Sequence, residues 1–447
     1  MSYKISEHFN IKKIIIFTLP SIGMMLISSI YGVVDGFFVS NYIGSQAFAA
    51  VNIVWPFEMI LGSLGLMVGA GGSALVSKTM GEQKYDLANR YFSMLIIFVI
   101  IFGIFISILG IIFNPYIIHL LDLDHETINN CNIYANVLFI FLIFFMLQNI
   151  FQSFNIVASK PEMGIITMIL SGITNILLDY LFIVVFRMGV FGAALATGMS
   201  QFAGGIVPFI YYLNKNNTLF RIKYEKIDLK IILKASYNGI SEMLSSISFS
   251  LVSILYNVIL LSYIGINGVN AYGVILYISY IFISIYFGYS MGISPIISYN
   301  YGAKNKKELN NIFNISLVFL FTISIILTLI GYIFAKQLSS IFVNYDKELL
   351  NLTTHALHIN IFSFLFCGYN IFASSLFTAL NNGTVSLILS FLRSLIIQVI
   401  CILTIPILFG SEGIWFAGVV SDIISLIISL IFIIKYRNKY GYLNVSL

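Results

Sequence analysis

Met94-Leu-Ile-Ile-Phe-Val-Ile-Ile-Phe-Gly-Ile-Phe-Ile-Ser-Ile-Leu-Gly-Ile-Ile-Phe113 contains no charge and no alternation of polar and apolar residues. A helix crosses a bilayer with roughly 20 apolar residues, whereas a membrane strand shows about ten that alternate. This run is therefore a membrane-spanning helix, and the chain repeats its pattern. Of 447 residues, 59% are hydrophobic and 9% charged, against about 25% charged in a soluble domain. Water could not solvate such a surface. Polar breaks predict twelve spans, near 13–40, 47–77, 91–119, 129–158, 163–186, 190–213, 233–262, 269–299, 312–342, 350–380, 384–409 and 412–435. The expected fold class is an all-α integral membrane protein. The first apolar stretch, Ile14 to Val39, is too long for a signal-peptide core.

The net charge of +5 does not indicate nucleic acid, because the basic residues are scattered over short connections. Alternate connections differ sharply: 19 Lys and Arg lie on one side, Arg187, Lys336 and Lys347 on the other, and Arg393 falls inside a span. The positive-inside rule then places both termini in the cytoplasm. Residues 214–232 form the one long cytoplasmic linker, rich in basic residues. It is expected to join an N-terminal lobe, 1–213, to a C-terminal lobe, 233–447. Cys131, Cys367 and Cys401 lie too far apart for a CxxC zinc site. His355 and His358 have metal-compatible spacing but lack a convincing acidic partner, so no metal site and no enzyme are expected. Asp122, Asp124, His125 and Glu126 make a polar outer loop.

The halves superimpose at a shift of 221 residues. Tyr42-Ile43-Gly44 falls on Tyr263-Ile264-Gly265, and Ser73, Ser77 and Gly81 fall on Ser294, Ser298 and Gly302. The same shift places Gly192, Ala196 and Ser200 on Gly413, Ala417 and Ser421; between these ends the match slips to 219. Six spans per half give both halves the same sense in the membrane. The expected architecture is thus two six-helix lobes related by a pseudo-two-fold axis along the membrane normal, as in two-lobed transporters.

An ionisable side chain within a span costs about 2.5–3.5 kcal/mol on insertion scales and is a functional candidate. The candidates are Asp35, Glu58, Asp179, Glu242, Arg393 and Asp422. Asp35 and Asp179 lie at similar depths. Tyr31 and Asn175 each precede their aspartate by one helical turn on the same face. At the repeat positions Asp35 falls on Tyr256 and Asp179 on Gln398 or Ile400, so the C-terminal lobe lacks this acidic pair. Span four carries a polar stripe of Gln148, Asn149, Gln152, Asn155 and Ser159, suited equally to a cavity lining and to interhelical hydrogen bonds.

The stretch Asn175-Ile-Leu-Leu-Asp179-Tyr-Leu-Phe-Ile183, helix one with Pro20, Asp35 and Tyr42-Ile43-Gly44, Gly71-Gly-Ser-Ala-Leu-Val-Ser77 and Gly192-Ala-Ala-Leu-Ala-Thr197 together resemble the multidrug and toxic compound extrusion (MATE) family, especially its DinF-like branch. The resemblance implies two bundles working by alternating access, with the coupling cation held at Asp35, Asn175, Asp179 and Thr197. It also implies a surrounding network of Tyr31, Tyr134 and Asn149, which Gln152 and Asn155 of the polar stripe are expected to extend, and a helix-one hinge at Pro20. Phe249 stands where the NorM-like branch carries a carboxylate. The implied function is antiport: small cationic or amphipathic substrates leave in exchange for H⁺ or Na⁺, without a cofactor. Two carboxyls close together in a low dielectric do not both stay ionised, so such a pair can trade a proton or Na⁺ for a cationic substrate. Thr197 and Asn175 could ligate Na⁺ or hydrogen-bond a protonated aspartate. A flippase for lipid-linked or other amphipathic substrates is the alternative; it would line its cavity with basic groups, and Arg393 stands nearly alone. The expected setting is a bacterial cell membrane, with a monomeric protein in the lipid bilayer.

Overall fold

The computed structural model describes residues 3–119, 124–344 and 346–443; Asp122 of the polar outer loop lies outside them. The helices run in order α1 Ile11–Tyr42, α2 Ser45–Gly81, α3 Tyr85–His119, α4 His125–Val157, α5 Pro161–Asp179, α6 Gly189–Leu213, α7 Leu229–Tyr263, α8 Ile266–Gly302 and α9 Lys306–Ile333. Then follow α10 Ala335–Val343, α11 Lys347–Asn360, α12 Phe364–Ala379, α13 Gly383–Phe391 and α14 Ile397–Tyr440. Among the described residues eleven continuous spans are long and apolar enough to cross a membrane, the last being Gly383–Tyr440. Gly410 breaks that span with φ 61 and ψ −146, a backbone conformation costly for any residue with a Cβ. Two crossings result, and twelve in all, as the sequence predicts.

The ninth span differs from its prediction. The helix stops at Ile333 and a separate nine-residue α10 follows. Phe334 leaves helical geometry at φ −100 and ψ 14. α10 then buries Ala335, Ser339 and Val343, one face of a surface helix, while Ile341 is exposed. The span predicted at 350–380 is α11 and α12 joined by the 3₁₀ turn Ile361–Ser363.

Within the first lobe α4 packs against α2, α3 and α6, and α5 closes the bundle against α1 and α6. In the second lobe α12 lies between α8, α9, α13 and α14. The lobes meet through α1 on α8 and α2 on α7 and α8. The contacts concentrate towards one end. A Cβ on Gly71 would overlap the backbone of Ala235 and Gly239, one on Gly81 that of Tyr299, and one on Gly302 that of Lys78. Towards the other ends of α1 and α8, Gly32 and Gly273 have nothing within 4 Å of where a Cβ would sit. The pair of lobes is closed at the end that carries both chain termini and parted at the opposite end.

The N-terminal segment reinforces the closed end. Glu308, at the start of α9, accepts the Phe9 amide at 2.9 Å and pairs with His8 Nδ1 at 2.7 Å. Asn311 donates to the Phe9 carbonyl at 2.7 Å, and the Phe9 ring is fully buried. Glu308→Ala strands that amide and removes charge-assisted bonds of about 1.5–3 kcal/mol each. The expected result is at least roughly tenfold faster amide hydrogen exchange at Phe9; unchanged exchange there would show that the clasp is not what holds the segment.

The segment between α6 and α7 is strapped along α3 rather than free. Arg221 N donates to Asn89 Oδ1 at 2.8 Å, Ser93 bridges Arg221 O and Lys223 N at 3.1 Å each, and Arg90 pairs with Glu225 at 3.1 Å. Phe220 buries its ring against Phe92, with centroids 4.9 Å apart.

Candidate functional site

Helix geometry explains how the first lobe gathers its polar groups. α1 brings Tyr31 and Asp35 on one face; α5 brings Asn175 and Asp179, also one turn apart. α1 lies along α5 and near α6, so the two faces and Thr197 converge. Thr197 Oγ1 donates to Asp35 Oδ1 at 3.4 Å. The Asp35 carboxyl also lies within hydrogen-bonding reach of Asp179 and Asn175. Asp179 is 0% exposed and Asn175 1%, and neither side chain has a hydrogen bond of good geometry. A buried polar group without partners is costly. A pair of carboxyls with an unsatisfied amide beside it is chemically suited to receiving a cation or a proton. Among the described residues no Lys, Arg or His forms an ion pair with either aspartate.

The helix opens immediately after Asp179. Tyr180–Val185 is a π-helical turn, and π-bulges frequently accompany functional sites. The sequence carries no signal for it. The corresponding helix of the other lobe also widens, at Leu392–Ile396, the turn that bears Arg393.

The surrounding residues divide. Tyr134, 1% exposed, lies within reach of Thr197, Asp35 and Asp179, and Tyr31 lies beside Asp35. Asn149 instead donates to the Gly62 carbonyl at 3.3 Å, Gln152 reaches Met168 Sδ at 3.5 Å, and Asn155 accepts from the Tyr212 hydroxyl at 2.9 Å. These three join helices within the bundle and are not seen in contact with the aspartates. Tyr212→Phe removes one buried bond and should lower stability by about 1 kcal/mol, read from thermal unfolding in detergent. A loss near zero would mean that the Tyr212–Asn155 bond does not hold α4 to α6. Pro20 lies in the interior of α1, which stays helical through it.

Sequence reasoning singled out Glu58 but not its partner. Gln201 on α6 donates to Glu58 Oε1 at 2.5 Å, and the acid is 2% exposed. In the second lobe Tyr256 donates to Gln398 at 3.4 Å; this neutral pair occupies the repeat positions of Asp35 and Asp179. There Ser363 donates to Asp422, and Arg393 lies within electrostatic reach of both Asp422 and Glu242. Phe249 is exposed on α7. His355 pairs with Glu412 at 3.0 Å on the exposed surface, while His358 lies 3.2 Å from the Tyr332 carbonyl.

Two helical lobes, each spanning the membrane six times and parted at one end above a carboxyl pair without a basic partner among the described residues, define a membrane transporter rather than an enzyme. The family model of MatE matches the chain twice, at residues 20–181 and 243–404, and the chain belongs to that family. The two matches are spaced close to the internal repeat. The chain is 26% identical to the multidrug export protein MepA of Staphylococcus saprophyticus over 414 residues, 92% of this chain and 89% of that one. Among solved structures, it resembles an outward-facing multidrug resistance MATE family transporter of the MOP superfamily, with a TM-score of 0.91, 22% identity and 97% coverage of each chain. It also resembles a MOP superfamily transporter from Pyrococcus furiosus for which reverse polarity of the binding pocket is described, with a TM-score of 0.88, 23% identity and 95% coverage of each.

Proposed function

We propose that this protein exports organic cations and amphipathic drugs from a bacterial cell in exchange for H⁺ or Na⁺, by alternating access between the two lobes. The observation that carries the reading is the convergence of Asp35, Asp179, Asn175 and Thr197 without a basic partner among the described residues. An unpaired carboxyl pair attracts a cationic substrate. A proton or Na⁺ arriving from outside neutralises that attraction, and Thr197 and Asn175 supply oxygens for either ion. The export function of the MepA relatives supports the same direction of transport. With both termini cytoplasmic, as the charge distribution favours, the parted end faces outwards. The lobes then divide at the 214–232 segment, and the monomer is the transporting unit. The absence of a carboxylate at Phe249 favours the DinF-like branch. Flippase activity on anionic lipid-linked substrates is disfavoured, because Arg393 is flanked by two acids.

The test is ethidium transport in proteoliposomes of defined orientation. Flux should accelerate when an opposing pH or Na⁺ gradient is imposed, and collapse when it is dissipated. Flux indifferent to both gradients would overturn exchange.

A further inference from the structure

Outside the Asp35–Asp179 pair, Glu58 is a buried acid of the first lobe with no basic side chain facing it among the described residues. From α1 it faces Asp35 and Tyr31, and from α4 Tyr134, all within electrostatic reach. α5 places Asp179 within reach of that same Tyr134. α6 contributes the neutral amide of Gln201, whose donor takes one carboxyl oxygen at 2.5 Å. The other carboxyl oxygen is left for a proton or a cation.

The second lobe supplies a comparison. At the repeat shift of 221, Glu58 falls on Ser279 and Gln201 on Asp422. Each lobe thus keeps one carboxyl at this pair of positions, but on opposite partners. Asp422 has the Arg393 charge within reach and the Ser363 hydroxyl on it. Glu58 has no such charge. A structural acid in a membrane interior is ordinarily paired, so the lone one calls for a mobile counter-charge. At 2% exposure there is no room for an organic ammonium; a proton requires none.

We propose that Glu58, held by Gln201, is a second proton-binding site of the first lobe, separate from the Asp35–Asp179 pair. Its carboxylate takes up one proton and returns it when a cation occupies the pair nearby. This rests on the exchange reading above for its role, but not for its chemistry. Infrared spectra of the purified protein at neutral pH test the chemistry. A protonated-carboxyl C=O band should vanish in Glu58→Gln and shift in Gln201→Met, which removes the amide donor at similar volume. A spectrum unchanged in Gln201→Met overturns the site, even where Glu58→Gln fails to fold. The role is read from protons released on adding ethidium in weak buffer, where Glu58→Gln should release fewer per protein than wild type. Equal release would leave no place for Glu58 in coupling. Reduced release together with gradient-indifferent flux would instead preserve the site and sink the exchange reading.

Discussion

Asp35→Asn should cut gradient-driven ethidium flux by roughly two orders of magnitude while leaving the protein inserted and folded. Asparagine keeps the size and hydrogen-bonding capacity of the side chain, so Thr197 still finds an oxygen where it now donates to Asp35 at 3.4 Å. Only the charge is lost. A cation about 4 Å from one carboxylate gains about 4 kcal/mol at an effective dielectric of about 20. Asp179 retains part of that field, so roughly a 100-fold loss of coupled flux is expected, corresponding to about 2.7 kcal/mol. Asp179→Asn should behave alike. The double mutant also removes that residual field and should lose more flux than either single one. The decisive comparison is flux per inserted molecule under matched pH or Na⁺ gradients. Wild-type flux with unchanged ion dependence in Asp35→Asn would remove the pair from the coupling step.

Why that pair was legible in the sequence, and other features were not, has a physical basis. A carboxyl inside an apolar run stands out because hydrocarbon penalises charge, and helical periodicity fixes its neighbours, so Asp35 with Tyr31 and Asp179 with Asn175 could be read from spacing. The break at Gly410 was legible too, since a glycine followed by Ser411 and Glu412 interrupts an apolar run. Gln201 was not. An amide in a span reads the same whether it faces another helix or an acid, and its bond to Glu58 joins residues 143 apart. The clasp of His8 and Phe9 on Glu308 spans about 300 residues and depends on how the lobes dock, which no local pattern encodes. The π turn after Asp179 is a change of hydrogen-bond register among Tyr, Leu, Phe, Ile and Val residues that would serve equally well in an ordinary helix.

Gly71→Ala should shift the lobes away from closure at the terminus-bearing end. The added methyl would meet the backbone of Ala235 and Gly239, not a side chain that could swing aside, and Gly239 faces Met67 and Gly71 in the same way. The helices must separate, and overpacking of this kind costs about 1–3 kcal/mol. That cost falls only on the conformation in which α2 and α7 touch, so it moves an equilibrium between conformations rather than unfolding the protein. By contrast Gly103→Ala meets the flexible end of Met146 within the first lobe and should leave the balance alone. The three native cysteines are buried, so a reporter thiol can be introduced against a low background. Ser21→Cys lies in the closed contact, where Ser21 is fully buried and faces Gly288 and Gly292. Its maleimide reactivity should rise roughly tenfold in the Gly71→Ala background, the factor that about 1.4 kcal/mol produces, and Gly273→Cys at the parted end should react more slowly. Coupled flux should fall, because a protein held away from closure at one end completes fewer cycles. Unchanged reactivity at both reporters would mean that the glycine contact between α2 and α7 does not decide which end of the transporter is shut.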